Sequence, residues 1–196
     1  MSRISKIPAD QWDPELREMT GADTASVIEQ GVTRMMAHRP EMAKGVVRFL
    51  SAVTLNRTLP ERLIELVRLR VAFHNQCRSC MAIRYQSASD SVDENLVCSL
   101  EKPQEAPDLS DAERAALDFA DRYATDHLSI DEARFNALKP FFSEGEIIEL
   151  MMHLAAYVGL GRMAALLDMT EELPSGFQGA WGDTITPWSD QPVQVR

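Results

Sequence analysis

The sequence predicts an all-α fold, and two observations carry that prediction. Apolar residues recur at helical spacing from end to end, whereas runs that alternate apolar and polar residues, as strands do, are scarce. Several segments also fit the capping box, in which Glu follows a Ser or Thr by three residues and closes the first turn of a helix. These boxes begin at Thr58, Ser110, Ser129 and Ser143.

The helix starts can be justified in order along the chain. Proline after Asp13 and after Arg39 marks two starts, because its missing N–H costs nothing in the first turn. The Thr58 box opens the next long helix, the pair Asn75-Gln76 breaks it, and the three serine boxes open the later helices. The break also precedes the helix at 77–89, and the helices at 24–37 and 93–100 depend on amphipathic spacing alone. The predicted helices span 13–20, 24–37, 40–55, 59–74, 77–89, 93–100, 110–126, 130–140 and 144–168.

The chain is predicted to form a single helical domain, residues 1–170, followed by an arm, residues 171–196. The polar, proline-bearing segment 101–109 would connect the two halves of the domain. We expect the arm to dock on this subunit or on a neighbour, because Trp181 and Trp188 carry too much apolar area to leave in water.

The two halves also resemble each other. Shifting the chain by 84 positions places Ile64-Glu65-Leu66 on Ile148-Glu149-Leu150 and Arg78 on Arg162. The halves are therefore predicted to be structural copies. In the second copy, glycine and alanine stand where the first copy has cysteines, so the shared backbone does not require cysteine there.

Charge and cysteine content exclude several classes of protein. Thirty acidic against 20 basic residues give a net charge of −10, which repels nucleic acid and anionic lipid. The N-terminal stretch lacks a signal-peptide core, and we expect no segment with the roughly 20 apolar residues of a membrane span. We expect a cytoplasmic protein. In that compartment a close cysteine pair points to redox chemistry or metal binding.

Cys77 and Cys80 form such a pair, with C-x-x-C spacing. The break at Asn75-Gln76 places Cys77 near a helix N-terminus, where unpaired N–H groups favour a thiolate. Residues 77, 80 and 84 are spaced i, i+3, i+7 in the predicted helix, so we expect Arg84 on the same face as both sulfurs, where it steadies a negative charge. Being permanently charged, Arg84 cannot transfer a proton.

Glu65, eleven intervening residues and Cys77-x-x-Cys80 together resemble the signature of the alkylhydroperoxidase D (AhpD-like) family, within the carboxymuconolactone decarboxylase-like superfamily. The apolar stretch 146–167 resembles the closing helix of that family, and the resemblance covers most of residues 40–170. It implies an orthogonal helical bundle with two pseudo-repeated halves that assembles as a homo-oligomer. It also implies reduction of hydroperoxides by the cysteine pair, without haem, flavin or another cofactor.

The resemblance further implies a role for each site residue. Cys80 would attack the peroxide and become a sulfenic acid, Cys77 would resolve it to a disulfide, and a dithiol protein would reduce the pair again. Glu65 would belong to a proton relay. The helix N-terminus argument instead favours Cys77 as the more acidic thiol. Arg84 replaces the histidine of the family signature, so we consider His74 and a protonated Glu65 as proton donors in its place.

The sequence also allows other interpretations of the cysteines and of Glu65. A zinc site would need two more ligands, for which His74 and Cys98 are the candidates, but the chain has only one paired ligand motif and we expect no metal. As a lone cysteine, Cys98 is expected in the core. Glu65 is equally well explained as a scaffold residue, because Glu149 occupies the same place in the second copy.

Two further functions remain. The first is a decarboxylase that binds a carboxylate with Arg78 and Arg84. The second is a non-catalytic oligomer with a redox-sensitive disulfide.

Overall fold

The fold consists of ten α-helices and two short strands in the part of the chain described by this computed structural model, residues 2–189 and 191–196. The predicted domain and arm each contain one residue outside the described part, Met1 and Asp190 respectively. The predicted all-α class is confirmed. The elements are α1 (Pro14–Met19), α2 (Val27–Gln30), α3 (Thr33–Met36), α4 (Pro40–Leu55), α5 (Glu61–Asn75), α6 (Arg78–Ala82), β1 (Ile83–Tyr85), α7 (Glu94–Ser99), α8 (Asp111–Thr125), α9 (Glu132–Asn136), α10 (Glu144–Leu167) and β2 (Val193–Val195).

Helix α5 is the central element of the bundle. Every residue from Leu63 to Ala72 is buried, and the helix packs against α8 on one side and α10 on another. A helix that is buried all round must satisfy its polar side chains internally. Each fully buried leucine, such as Leu66, stabilises the fold by about 1.5–3 kcal/mol. The core therefore fixes α5, and α5 in turn positions the residues at its C-terminal end.

Two of the four predicted capping boxes form. Ser110 and Ser143 cap α8 and α10 with reciprocal bonds to the glutamate three residues on. The box at Thr58 is wrong, because α5 begins after Pro60 and the carboxylate of Glu149 accepts from the Thr58 N–H at 3.0 Å. The box at Ser129 is also wrong, because Asp131 caps α9 instead.

Three predicted helices are too long. The helix predicted over 24–37 divides into α2 and α3 at Gly31, whose φ of 45° is left-handed. The helix predicted over 77–89 ends at Ala82, because the next three residues form β1 and pair in parallel with β2. The helix predicted over 130–140 reduces to α9, followed by turns.

The C-terminal arm docks on its own chain. Strand β2 pairs with β1, and the Arg78 guanidinium donates to the carbonyls of Gly179 and Ala180, each at 2.5 Å. Phe177 is a buried apolar anchor of the arm. The two tryptophans that motivated the docking prediction remain about half exposed, Trp181 at 55% and Trp188 at 45%.

Helix α10 is long and apolar enough to cross a membrane by length and composition, so the expectation that no such segment exists is wrong. Its inner face, with Leu150 and Leu154, packs into the core. One such helix is weak evidence for a membrane span, because the core helix of a soluble bundle has the same composition. Its outer face is exposed at 4-3-4-3-4 spacing, through Ile148, Met152, Ala155, Gly159, Arg162 and Leu166.

Candidate active site

Cys77 and Cys80 are joined by a disulfide, with their Cα atoms 5.2 Å apart. The break predicted before the pair is present, because Gln76 takes a left-handed conformation at the end of α5. The Gln76 side chain holds this turn by donating to Phe73 O at 2.7 Å and accepting from Ile185 N at 2.9 Å. Cys77 is the N-cap of α6, as expected, but this helix has only five residues.

The two sulfurs have different environments. Cys77 is completely buried, whereas Cys80 is partly exposed and lines a cavity of about 340 Å³. Most of the cavity wall is apolar. Its apolar residues include Leu50, Ala72, Ile83, Ala156, Leu160 and Leu173, and its polar ones include Arg68, Tyr85 and Tyr157. A molecule in this cavity would therefore meet Cys80 and not Cys77.

Glu65 is connected to the cysteine segment through Arg68. The two side chains form a buried ion pair one turn apart on α5, with N–O distances of 2.6 and 2.7 Å. The same guanidinium donates to Cys80 O at 2.6 Å and to Ile83 O at 2.9 Å. Burial alone would lower the pKa of Arg68, but the charge and the hydrogen bonds of Glu65 act together against it, and the net shift is upward. A fixed positive charge therefore lies beside the backbone of α6.

The structure does not place Arg84 on the face of Cys77 and Cys80, which corrects the shared-face expectation. Helix α6 ends before Arg84, which lies in β1. Its guanidinium pairs with Glu94 at 2.7 and 3.0 Å and donates to Met81 O, Ile83 O and Pro187 O. These contacts use all of its donor nitrogens and join β1 to α7 and the arm.

His74 is engaged on the other side of α5. Its Nε2 atom lies 2.7 Å from the Asp121 carboxylate on α8, which also binds Arg70. Burial would raise the pKa of Asp121, but its hydrogen bonds with His74 and Arg70 produce a net lowering. His74 is also absent from the cavity lining. It therefore links α5 to α8 and has no contact with the cavity.

Tyr157 is a residue of the site that the sequence motif does not indicate. This residue of α10 lines the cavity together with Cys80 and is in hydrogen-bond contact with His153. A tyrosine and a histidine spaced i, i+4 in an otherwise apolar helix were the available signal.

The candidate zinc ligands do not come together. Among the residues that the structure describes, no group of three or more His, Cys, Asp or Glu side chains is arranged to hold a metal. Cys98 is exposed, so its predicted core position is wrong. Helix α7 turns Leu96 and Val97 inward and leaves the next residue facing solvent.

The fold and site together define an all-helical protein with a dithiol/disulfide pair beside an apolar cavity. Residues 40–122 match the model of the carboxymuconolactone decarboxylase family. The match covers less than half of the chain, and it shows that residues 40–122 are similar to this family.

Solved structures share the fold at low sequence identity. An uncharacterized peroxidase-related protein from Ralstonia eutropha with an alkylhydroperoxidase AhpD core is 21% identical, with a TM-score of 0.66 over 90% of this chain and 94% of that one. The debrominase Bmp8 is 22% identical, with a TM-score of 0.63 over 79% of this chain and 84% of that one.

Two curated sequences are also similar. The uncharacterized proteins Rv2313c and MT2376, from two strains of Mycobacterium tuberculosis, are each 34% identical to this chain over 117 residues. The matched region is 58% of this chain but only 40% of each relative.

Proposed function

We propose that this protein is a thiol-dependent oxidoreductase that reduces hydroperoxides with Cys77 and Cys80. The observation that supports this most directly is that the two cysteines are within bonding distance while one of them lines a cavity. The Cys80 sulfur attacks the peroxide, the O–O bond breaks, and an alcohol leaves a sulfenic acid behind. The Cys77 thiol then displaces water to form the disulfide, and a dithiol protein restores both thiols.

Exposure supports Cys80 as the attacking thiol. It is the cysteine on the cavity, whereas Cys77 is sealed below it. The helix N-terminus argument for Cys77 carries little weight with a helix as short as α6, because the dipole grows with length. Cys80 is also the sulfur that an incoming reductant would reach first.

Glu65 acts in this proposal by positioning. Its carboxylate holds Arg68, and Arg68 holds the carbonyl of Cys80, so Glu65 fixes the backbone that carries the reacting sulfur. His74 and Arg84 then serve as structural links on either side of the site, and neither takes part in proton transfer.

The protein is proposed to act as a homo-oligomer in a reducing compartment such as the cytoplasm. The exposed face of α10 presents Ile148, Met152 and Leu166 in register, with the small residues Ala155 and Gly159 between them. This spacing allows the same helix of a second copy to pack closely against it. Met152→Glu should shift the assembly to a smaller mass in light scattering. An unchanged mass would contradict this interface.

A decarboxylase finds less support. The donors of Arg78 point to backbone carbonyls of the arm, and those of Arg84 to Glu94 and backbone carbonyls, so neither is free for a substrate carboxylate.

Reduction of a carbon–halogen bond is a second candidate, because the apolar cavity has room for an aromatic ring and the debrominase Bmp8 shares the fold. The dithiol would supply the two electrons, releasing halide and a proton and closing the disulfide.

The test is a thiol balance after single-turnover oxidation. Reduced protein carrying Cys98→Ser is mixed with an alkyl hydroperoxide, and thiols are counted while the disulfide is mapped by mass spectrometry. The proposal expects loss of two thiols per chain and a Cys77–Cys80 bond. Cys80→Ser should abolish the reaction. Unchanged thiols with hydroperoxide, but oxidation with release of bromide from a bromopyrrole, would favour the second candidate.

A further inference from the structure

One buried histidine on α10 has a ring nitrogen with no hydrogen-bond partner. His153 is 3% exposed, and its Nε2 atom is the unpartnered buried side-chain atom in the described part of the chain. Its Nδ1 atom lies 3.2 Å from the Tyr157 hydroxyl, and the Glu149 carboxylate lies 4.0 Å from Nε2. An unsatisfied buried ring nitrogen is costly, so it calls for a chemical explanation.

Tyr157 connects this histidine to the cavity. It lines the same cavity as Cys80, so a molecule bound there would meet both side chains. Burial raises the pKa of Tyr157 and thus keeps it protonated. The family histidine that would otherwise transfer protons is replaced by Arg84, and Arg84 faces the arm.

We propose that Tyr157, backed by His153, carries the proton that must move from the Cys80 thiol to the leaving oxygen of the hydroperoxide. This inference rests on the proposed function. As Tyr157 accepts the thiol proton, its own hydroxyl proton passes to Nδ1 of His153. The thiolate then attacks, the O–O bond breaks and an S–O bond forms. The proton returns through Tyr157 to the alkoxide, which leaves as an alcohol.

The charged groups around Tyr157 and His153 favour this proton transfer. Glu149 lies nearest Nε2 and favours the tautomer with the proton there, which leaves Nδ1 free to accept from Tyr157. The same carboxylate stabilises the imidazolium that forms for a moment, as the aspartate does in a Ser-His-Asp triad. Arg57 also faces His153, and Arg68, Tyr85 and Glu65 face Tyr157.

His153 starts the cycle neutral. Burial lowers its pKa, with Glu149 opposing and Arg57 adding to the effect. At a pH below that lowered pKa, the imidazole already carries a proton and cannot accept another. The oxidation rate should therefore fall on the acid side.

Tyr157→Phe is the central variant, because it removes one hydroxyl and keeps the ring. Tyr123→Phe on α8 is the matched control, since Tyr123 packs against the core outside the cavity lining. Stopped-flow oxidation of the reduced protein is measured with an alkyl hydroperoxide and with a peracid. The alkoxide needs a proton in order to leave, whereas the carboxylate released by a peracid does not.

The inference expects Tyr157→Phe to slow oxidation by the alkyl hydroperoxide about 100-fold, as the loss of general acid–base catalysis does. Oxidation by the peracid should slow less, because it loses only the deprotonation of the thiol, and Tyr123→Phe should match the wild type with both oxidants. His153→Gln should reproduce the slower rate and lose the acid-side fall of the pH profile. Thermal melts check that each variant is folded.

Two results would overturn the inference. One is an equal loss with both oxidants in Tyr157→Phe, which would show that Tyr157 does not protonate the leaving oxygen, and the other is no loss with either. A wild-type protein whose thiols resist both oxidants would instead defeat the proposed function, so the two failures can be told apart.

Discussion

The buried ion pair between Glu65 and Arg68 allows a quantitative test of the site. In Glu65→Gln the guanidinium keeps its bonds to Cys80 O and Ile83 O but loses its countercharge in a position only 6% exposed. Removing one partner of a buried pair costs about 3–5 kcal/mol. Because those two carbonyls and the new amide oxygen still accept from Arg68, we expect the lower end, about 3 kcal/mol. This is a large part of the roughly 5–15 kcal/mol that stabilises a typical domain.

The assay is urea unfolding of the oxidised protein, in which the midpoint should fall while the m-value stays constant. The control is Glu105→Gln, which breaks an exposed pair with Lys102 and should change the free energy of unfolding by about 0–1 kcal/mol. A second variant, Glu65→Leu with Arg68→Met, removes both charges and should recover most of the loss. A decrease below about 1 kcal/mol for Glu65→Gln would refute this account of the pair.

Three further predictions concern the oxidised state, acid and the arm. Ellman titration of the native oxidised protein should detect one reactive thiol, Cys98, and a slow or absent reaction would contradict its exposed position. Burial opposes the shift, but the hydrogen bonds from Lys6 and Ser2 act together to lower the pKa of Glu171 from 4.5 to about 2. The stabilisation by Glu171 is therefore present above pH 4.5 and is lost as the pH falls toward 2. Melting temperatures across that range should fall less steeply for Glu171→Gln, and identical slopes would count against the link. Phe177→Ala, at a buried anchor of the arm, should cost about 3–5 kcal/mol in chemical unfolding, against little for the exposed Trp181→Ala, and equal effects would mean that the arm is not anchored there.

Local signals determined how far the sequence could predict the fold. The Ser110 and Ser143 boxes form from partners that lie within one turn. Thr58 fails because its partner, Glu149, comes from another helix. Likewise, nothing near Ala82 signals the end of α6, which depends on a strand about 110 residues later in the chain.

The site likewise has some features that the sequence indicates and others that depend on packing between distant segments. The spacing of Glu65 and the cysteine pair was visible in the sequence, and the pair does close a disulfide. That Glu65 reaches Cys80 through Arg68, or that Tyr157 shares the cavity, depends on how α5, α6 and α10 pack. A spacing motif can indicate which residues react, but it does not show which side chains the fold brings beside them.

Arg84 is the position where the family signature and this structure differ most, and it yields the last prediction. A reader of the motif alone would restore the histidine with Arg84→His and expect faster peroxide reduction. In this chain the residue lies in β1 and holds Glu94 and Pro187 O, so a histidine there would be aimed at the arm and not at the cavity. Arg84→His should therefore leave single-turnover oxidation no faster than in the wild type.

The same change should weaken the fold. It removes charge-assisted hydrogen bonds of a buried guanidinium, each worth about 1.5–3 kcal/mol, so the midpoint of urea unfolding should drop. Arg84→Lys is the control, because it keeps the charge but loses the paired hydrogen bonds to Glu94. Its unfolding midpoint should lie between those of the wild type and Arg84→His. A faster reaction in Arg84→His at unchanged stability would show that the side chain at this position faces Cys80 after all. The residue at position 84 would then transfer the proton, and the proposed path through Tyr157 and His153 would be contradicted.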